Sequence, residues 1–375
     1  MSLLTVAALI SAFVIAFIVT ALTVPPVIRL CERRGWVQHP GGRRSHVRPT
    51  PNVGGIAIYA GFVTALLATF IFTSVEPSLQ RSEFEVLRIG LLLLGGTAIF
   101  LVMWVDDVVE LPWLPKFAAQ AGAGLIAVGP YLWDQRRYPD ALGLPTEARG
   151  ILLTAFNVPF IGQVSLWDAS PWLAIAATVF WLGWMANTIN WSDGLDGLAA
   201  GVSLIAALML ALHALRLDPP QRTVALVPLA LAGACAGFLI FNLPPARIFM
   251  GDSGAEFLGF LLGVSAIIGG AKLATVLLVL GVPILDVAWL IVARTASGRQ
   301  PAQGGRDHLH HRLLDSGMSA RQILALYWGL SASFGLLGIA DISPSAKLIG
   351  LALLLLIGAG LIVYATRRVP ARSPQ

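Results

Sequence analysis

Long apolar runs and short polar segments alternate along nearly the whole chain. Each apolar run contains roughly 20 residues, which is the length that an α-helix needs to cross a lipid bilayer. We therefore predict an all-α polytopic membrane protein. It has about eleven transmembrane helices, near residues 3–24, 53–74, 88–105, 113–131, 171–189, 197–215, 223–241, 256–270, 272–293, 322–340 and 346–366.

The composition supports a chain that lipid surrounds. Hydrophobic residues make up 57% of the 375, and charged residues only 12%, whereas soluble domains carry about 25% charged residues. The formal net charge of +5 suits anionic headgroups or anionic substrates without selecting between them. The two cysteines, Cys31 and Cys235, offer no disulfide framework.

The distribution of basic residues predicts the orientation of the chain. No Lys or Arg precedes the first apolar run, so we interpret that run as a retained span with its N-terminus outside the cytoplasm. This orientation places 16 of the 25 Lys and Arg residues in cytoplasmic segments, as the positive-inside rule requires. It also places the C-terminus in the cytoplasm.

The longest outside connection spans about residues 132–170. Short β-like stretches around Pro159 and Gly162 allow a small extracytoplasmic hairpin, although a surface loop folded over the bundle is the favoured interpretation. We find no soluble domain or internal repeat, so residues 1–375 are predicted to form a single integral-membrane domain.

Four polar clusters interrupt the apolar pattern, and all four fall on the predicted cytoplasmic side. They are "MWVDDVVELPWLPKF", "NTINWSDGLDG", "FNLPPARIFMGDSGAEFLG" and "GGRDHLHHRLL". Together with the first basic loop, they define cytoplasmic segments near residues 29–52, 106–116, 190–196, 242–255 and 294–321.

Each cluster alone has a simpler interpretation. The Asp106–Asp107 pair could be a solvated helix end, and Asp252 could be the N-cap of the following helix. The "HLHH" run could contact lipid headgroups, and the asparagines could join helices by hydrogen bonds.

Taken together, the clusters predict a divalent-cation site. The carboxylates of Asp106, Asp107, Asp193, Asp196 and Asp252 would repel one another beside a low-dielectric wall unless a proton or a cation intervened. Ligands that bind only through oxygen favour Mg²⁺ or Mn²⁺, and Mg²⁺ keeps positions for phosphate oxygens. The pattern indicates a Mg²⁺-dependent site for a diphosphate at the membrane surface.

Spacing supports this interpretation. Asn187 and Asn190 lie three residues apart, so on a helix they share a face, and Asp193 and Asp196 repeat that interval. The chain contains no phosphate-binding loop and no zinc-ligand spacing. We predict no nucleic-acid partner.

At these four clusters the sequence resembles the polyprenyl-phosphate N-acetylhexosamine-1-phosphate transferases of glycosyltransferase family 4. The motifs that carry the resemblance are the Asp106–Asp107 pair, "NTINWSDGLDGLA", "FNLPPARIFMGDSG" and "HLHHRLL". "HLHHRLL" and the N-terminal "HPGGRRSHVRPTPNVGG" resemble the branch that starts O-antigen and teichoic acid linkage units, rather than the phospho-MurNAc-pentapeptide branch.

The resemblance implies the reaction and its partners. A sugar-1-phosphate, by default N-acetylglucosamine-1-phosphate, passes from a UDP-sugar to undecaprenyl phosphate and UMP is released. Mg²⁺ is the expected cofactor, with Mn²⁺ as an option, and a homodimer is compatible with the pattern.

The resemblance also implies roles for individual residues. Asp106 and Asp107 would be catalytic, and Asn190 and Asp252 would bind the metal. Phe249 would stack on uracil. The other expected substrate-binding residues are Lys116, Asn187, Asp193, Asp196, Arg306, His308, His310 and His311, with Arg44 and His46 as candidates in the N-terminal loop.

Three positions depart from the family pattern. Gln38 stands where Asp often precedes "HP", Gly305 stands where Asp often precedes "HLHH", and Ala255 replaces a usual Ser. These departures concern donor binding and leave the reaction class unchanged.

Two alternatives for the route and two for the function stay open. We expect direct attack by the lipid phosphate, and the alternative is a two-step route with Asp106 as nucleophile. The donor could be UDP-MurNAc-pentapeptide or another UDP-N-acetylhexosamine. An ion-coupled transporter is a distant alternative, since transporter carboxylates usually lie near the bilayer midplane between inverted repeats.

Overall fold

The computed structural model describes residues 1–39, 49–73, 75–134, 150–158, 162–269, 273–298 and 307–368. Over these residues the chain is almost entirely helical. In chain order the helices are α1 (Leu3–Arg34), α2 (Gly55–Ala68), α3 (Phe70–Thr73), α4 (Glu83–Val109), α5 (Trp113–Val128), α6 (Leu166–Ala169), α7 (Pro171–Ser192), α8 (Leu198–Arg216), α9 (Arg222–Asn242), α10 (Gly251–Ile268), α11 (Leu273–Val279), α12 (Gly281–Ala296), α13 (Leu309–Asp315), α14 (Ala320–Ile339) and α15 (Pro344–Arg368).

The prediction of an all-α polytopic membrane protein is confirmed. Among the described residues, nine helical segments are long and apolar enough to cross a membrane, and the consecutive helices α11 and α12 form a tenth candidate. Helix α5 has 16 residues and a 3₁₀ turn, Gly129–Leu132, continues it. Each of the eleven predicted spans coincides with a helix or a helix pair, but α5 is too short to count among the nine or ten candidates in the described residues.

The ninth predicted span is not one straight helix. Helices α11 and α12 meet at an angle of 81°, and the break falls at Leu280, two residues before the Val282–Pro283 pair. Proline cannot donate a backbone hydrogen bond and is tolerated mainly in the first turn of a helix, so Pro283 suits the start of α12. The bend directs α12 away from the line of α11.

Two short antiparallel hairpins complete the described structure. Strands β1 (Val37–Gln38) and β2 (Thr50–Pro51) pair beyond the end of α1. Strands β3 (Ala155–Val158) and β4 (Gly162–Ser165) pair in the long connection before α7. The hairpin that the sequence allowed there is present, so the favoured expectation of a plain surface loop was wrong.

Helix α10 lies at the centre of the bundle. Its apolar window is 89% buried, more than that of any other candidate span in the described residues, and it packs against α7, α4, α2 and α8. Glycines allow these close approaches: a Cβ at Gly259 would collide with the Met185 carbonyl of α7, and Gly254 lies against Gly55 of α2. The N-terminus of α10 therefore has a fixed position relative to its neighbours.

Replacing Gly259 by Val should drive α10 and α7 apart. Overpacking of this kind costs about 1–3 kcal/mol, so the purified protein in detergent should unfold at a lower temperature. Gly90→Val is the matched control, because a Cβ at Gly90 meets open space. Equal thermal stability of the two variants would contradict this account of the packing.

Candidate active site

Four helix ends meet at one end of the bundle and carry most of the predicted polar residues. They are the C-terminal ends of α4 and α7 and the N-terminal ends of α5 and α10. Helix α10 contacts both α4 and α7, and α5 packs between those two helices. The apolar spans hold the polar ends at one level, which is the arrangement that the four motifs predicted.

Lys116 is the cation at the centre of this cluster. Its Nζ lies 2.5 Å from Asp106 Oδ2 and 2.9 Å from Asp252 Oδ2. The Asp106 side chain is only 6% exposed, whereas that of Asp252 is 34% exposed. The second oxygen of Asp106, Oδ1, accepts a hydrogen bond of 2.6 Å from the Leu111 N–H. Asp252 is therefore the member of the pair with a face open to a ligand.

Asp107 contacts the backbone at the start of α10. Its carboxylate accepts hydrogen bonds from the Asp252 N–H (2.7 Å), the Ser253 N–H (3.1 Å) and the Ser253 hydroxyl (2.5 Å). These amides belong to the first turn of α10, whose own N-cap, Met250, offers no oxygen. Asp107 supplies the cap from α4, since a cap side chain normally accepts from these N–H groups. The simpler interpretation of Asp252 as the N-cap is wrong, because Asp252 lies inside the helix.

Gly251 allows the approach of Asp107. Its φ is +72°, and a Cβ there would collide with the Asn52 carbonyl and lie about 2.5 Å from the Asp107 carboxylate. Only glycine combines that backbone conformation with the space available.

The two asparagines of α7 point to different partners. The Asn190 side chain lies near the Asp252 carboxylate and interacts with it. The Asn187 amide instead donates to Gln120 Oε1 (2.8 Å) and to the Gly183 carbonyl (2.8 Å). Asn187 therefore supports the site through hydrogen bonds to α5 and to its own helix.

A buried polar network continues from Asn187. Gln120 donates to Glu256 Oε2 at 3.0 Å, and the two residues are 5% and 2% exposed. Sequence reasoning did not include Gln120 or Glu256 among the site residues. The available signal was their position: each lies one helical turn beyond a site residue, Lys116 and Asp252 respectively.

The turn after α7 is tied to the loop before α10. Asp196 Oδ2 accepts a hydrogen bond of 2.9 Å from the Ala246 N–H. Asn242 accepts from the Gly197 N–H and donates to the Ile248 carbonyl, both at 2.9 Å. These bonds hold the second and third motifs together and give Asp196 a backbone partner in addition to its predicted contact with the substrate.

Asp193 follows the last residue of α7 and faces other carboxylates. Burial raises the pKa of Asp193 well above its ordinary value, and the charges of Asp252, Asp196 and Asp107 act in the same direction. A cation placed among these groups would relieve that repulsion.

Phe249 is held through its backbone. Its N–H donates to the Pro51 carbonyl at 2.8 Å, and its carbonyl accepts from the Gly54 N–H at 2.9 Å. The ring is partly exposed. Stacking on a base by Phe249 stays a prediction.

The histidine segment, His308 to His311, packs against the second motif, "NTINWSDGLDGLA". A Cβ at Gly194 would collide with His310 Nε2 and lie 3.0 Å from His311 Nε2. The His308 ring lies 6.0 Å from that of Trp191 and 5.5 Å from that of His310. The structure thus brings together two motifs that are more than a hundred residues apart in the chain.

Three predicted residues, Arg306, Arg44 and His46, lie outside the described residues. Their predicted contacts with the substrate stay predictions.

The polar side chains of the site suit a metal ion that needs few protein ligands. Within the part of the chain that the structure describes, no group of three His, Cys, Asp or Glu side chains could hold an ion by itself. Mg²⁺ usually needs only one or two protein carboxylates, with waters and substrate phosphates as its other ligands. The half-exposed Asp252 beside Asn190, with Asp193 close by, fits that smaller requirement.

Comparisons with known proteins agree with the family that the motifs resemble. The family model described as glycosyl transferase family 4 matches residues 89–270. A Bacillus subtilis protein named probable undecaprenyl-phosphate N-acetylglucosaminyl 1-phosphate transferase is 31% identical over 325 residues, covering 84% of this chain and 81% of its own. A decaprenyl-phosphate N-acetylglucosaminephosphotransferase of Mycolicibacterium smegmatis is 33% identical over 379 residues, covering 94% and 87%.

The other branch of the family matches nearly as well. A phospho-N-acetylmuramoyl-pentapeptide-transferase of Desulforudis audaxviator is 31% identical over 343 residues, covering 88% of this chain and 96% of its own. The polytopic fold and these matches define a membrane-embedded phosphotransferase. The chain belongs to glycosyltransferase family 4, the polyprenyl-phosphate sugar-1-phosphate transferases.

Substitutions of Asp107 and Asp252 should distinguish a residue that stabilises the site from a residue that takes part in the reaction. Asp107→Asn weakens the cap of α10, and a lost charged hydrogen bond in a buried place costs about 1–3 kcal/mol, so both the unfolding temperature and the activity should fall. Asp252→Asn leaves Lys116 paired with Asp106, so activity should be lost with little change in stability. Thermal unfolding and product release of both variants test this, and an Asp107→Asn protein as stable as the parent would refute the capping role.

Gly194→Ala should displace the histidine segment. The added methyl group occupies the space of the His310 ring, so turnover should fall at least tenfold while the rest of the bundle stays folded. Gly122→Ala, where a Cβ meets nothing within 4 Å, is the control. Unchanged turnover in Gly194→Ala would show that the contact between the two motifs has no role.

Proposed function

We propose that this protein transfers a sugar-1-phosphate, by preference N-acetylglucosamine-1-phosphate, from a UDP-sugar to undecaprenyl phosphate and releases UMP. The observation that carries the proposal is the pair of bonds from Lys116 to Asp106 and Asp252, which joins two of the family motifs. The names of the relatives, which act on undecaprenyl or decaprenyl phosphate, support the same acceptor class.

The chemistry must bring two anions together. A lipid phosphate and a diphosphate repel each other, so positive charge and hydrogen-bond donors near both are the main requirement. Lys116 is half-buried between α4 and α10 and provides one such charge. The histidine segment beside Gly194 provides imidazole groups on the other side of the α7 turn.

A divalent cation completes the proposal. Asp252 and Asn190 are the residues that would hold Mg²⁺, or Mn²⁺, with Asp193 as a nearby carboxylate. When bound, the ion would polarise the diphosphate and stabilise the leaving UMP. The support from the chain itself is the excess of carboxylates over cations around Asp193.

The geometry favours direct displacement over a covalent intermediate on Asp106. Both Asp106 oxygens are engaged, one by the Leu111 N–H and the other by Lys116, and the side chain is almost fully buried. A phosphate monoester has its second pKa near 6, so at neutral pH it is mostly a dianion and needs no base. In this proposal Asp106 orients Lys116, and Lys116 orients the attacking phosphate.

The location in the cell is part of the same proposal. We place the protein in a bacterial inner membrane, as a single domain with its N-terminus outside and its site facing the cytoplasm. The excess of basic residues on that side supports this orientation, and UDP-sugars are cytoplasmic substrates. A homodimer stays a prediction.

A second candidate donor is UDP-MurNAc-pentapeptide, because a transferase of that kind is 31% identical to the chain. The "HLHHRLL" segment favours the N-acetylhexosamine donors instead. The transporter alternative has less support, since the described carboxylates of the four motifs gather at one end of the bundle.

One assay tests the proposed function. Purified protein, Mg²⁺ and undecaprenyl phosphate are incubated with UDP-GlcNAc, other UDP-N-acetylhexosamines or UDP-MurNAc-pentapeptide, and UMP is measured. We expect UMP only when both donor and lipid are present, with UDP-GlcNAc the best donor and with loss of activity in EDTA that Mg²⁺ restores. UMP from none of the donors would overturn the enzyme proposal, and UMP formed without lipid would overturn direct displacement.

A further inference from the structure

Helix α12 carries a buried carboxylate that none of the four motifs contains. Asp286 is 4% exposed and lies in the apolar run "GVPILDVAWLIV". An ionisable side chain inside a membrane helix is costly, so it normally has a partner that accounts for it. The partners of Asp286 lie in the histidine segment.

Asp286 holds the start of α13 with both of its oxygens. Oδ1 accepts a hydrogen bond of 2.8 Å from the Leu309 N–H, and Oδ2 lies 3.1 Å from His308 Nδ1. His308 is the N-cap residue of α13 but makes no capping bond with its own side chain. The cap that Ser, Thr or Asn would supply locally comes instead from a residue 22 positions away.

The bond to Asp286 selects one form of the imidazole. A carboxylate can only accept, so His308 Nδ1 must carry a hydrogen, and Nε2 is left as the nitrogen available to another group. Carboxylates fix ligand histidines in metal sites in this manner, and loss of such a support typically costs 10–100-fold in affinity or activity.

The His308 ring also contacts two other aromatic rings. Trp191 of the second motif packs edge-on at 6.0 Å between ring centroids, and His310 stacks at 5.5 Å with the planes 15° apart. His310 in turn lies over Gly194. A change in the orientation of His308 would therefore reach the turn that carries Asp193 and Asp196.

We propose that Asp286 is a positioning residue: through its bond to Nδ1 it fixes the tautomer and the orientation of His308, so that Nε2 faces the diphosphate of the donor. This inference rests on the proposed function for the identity of the ligand. Its structural part, a hydrogen on Nδ1 of His308 held by Asp286, stands independently of the reaction.

Asp286→Asn tests the tautomer without removing the cap. The amide oxygen can still accept from the Leu309 N–H, but the amide nitrogen now faces Nδ1 and favours the tautomer with hydrogen on Nε2. We expect kcat/KM for the UDP-sugar to fall about 10–100-fold, with KM for the lipid phosphate unchanged. Asp286→Ala, which removes both bonds, should lose more activity and also stability.

A double-mutant cycle shows whether Asp286 acts through His308. If it does, Asp286→Asn should change kcat/KM less than twofold in a His308→Ala background. An effect of Asp286→Asn that is the same size in both backgrounds would overturn the positioning role. So would normal activity in a folded Asp286→Asn protein.

Thr275→Val is the matched control for buried hydrogen bonding. Thr275 lies on α11 and pairs with His213 Nδ1 at 3.0 Å, a similar bond to an imidazole away from the site. We expect this variant to lose stability and to keep kcat/KM, whereas Asp286→Asn should do the reverse.

A spectroscopic measurement covers the case in which the variants do not fold or the reaction differs. The chain has six histidines, so ¹⁵N-histidine labelling of the parent protein gives a tractable spectrum, and His308→Gln assigns the signal. We expect His308 to carry its hydrogen on Nδ1. Hydrogen on Nε2 alone would overturn the proposal, even if UMP release confirms the proposed function. If His308 shows the expected tautomer but no donor yields UMP, the proposed function is wrong and the contact between Asp286 and His308 still stands.

Discussion

The structure depends on balancing several carboxylates at the edge of a low-dielectric bundle. Asp106, Asp193 and Asp252 gather at helix ends where water can solvate them only in part. Lys116 is the cation that bonds to two carboxylates there, and it joins helix α4 to helix α10. The divalent ion that we propose would offset the remaining negative charge at this end of the bundle. Without the positive charge of Lys116, these carboxylates would repel anionic substrates.

The central helix α10 converts that balance into a fixed geometry. Its small residues allow close packing against α7 and α2, so the helix cannot shift without separating its neighbours. Below Asp252, the chain of bonds from Glu256 through Gln120 to Asn187 links α10, α5 and α7. A residue such as Asn187 can therefore matter for the reaction without touching a substrate. Asn187 belongs to a motif of the site, and its hydrogen bonds help to fix the ends of α7, α5 and α10 relative to one another.

The sequence predicted the spans well, because each span must be apolar over its whole length and hydropathy detects that requirement directly. Breaks inside a span were harder to predict. The 81° bend at Leu280 lies within a continuous apolar run, where an average over about 20 residues conceals it. The hairpin β3–β4 was considered less favoured than a plain loop for a related reason. Strands of four residues are too short for their alternating pattern to distinguish them from a loop.

Among site residues, motif membership predicted location but not partners. Asp106 and Asp107 are neighbours in the chain, yet one bonds to Lys116 and the other to the backbone of α10. Successive residues on a helix face different directions, so the pair could not have shared one role geometrically. Gln120 and Glu256 were missed although each lies one turn beyond a site residue, and Asp286 was missed because it is the one polar residue in its apolar run. A polar residue in such surroundings indicates a partner without identifying it.

Two helices at the site begin without a cap of their own, and the same solution serves both. Met250 precedes α10 and His308 precedes α13, and in each case a carboxylate from a membrane helix accepts from the first turn, Asp107 for α10 and Asp286 for α13. A local Ser or Asp cap would stabilise the helix start but leave its position to the connecting loop. A cap supplied by another helix fixes the start relative to the bundle. The caps from Asp107 and Asp286 therefore fix the positions of Asp252 and of the histidine segment relative to the same membrane helices. This matters for a site whose substrates arrive both from water and from lipid.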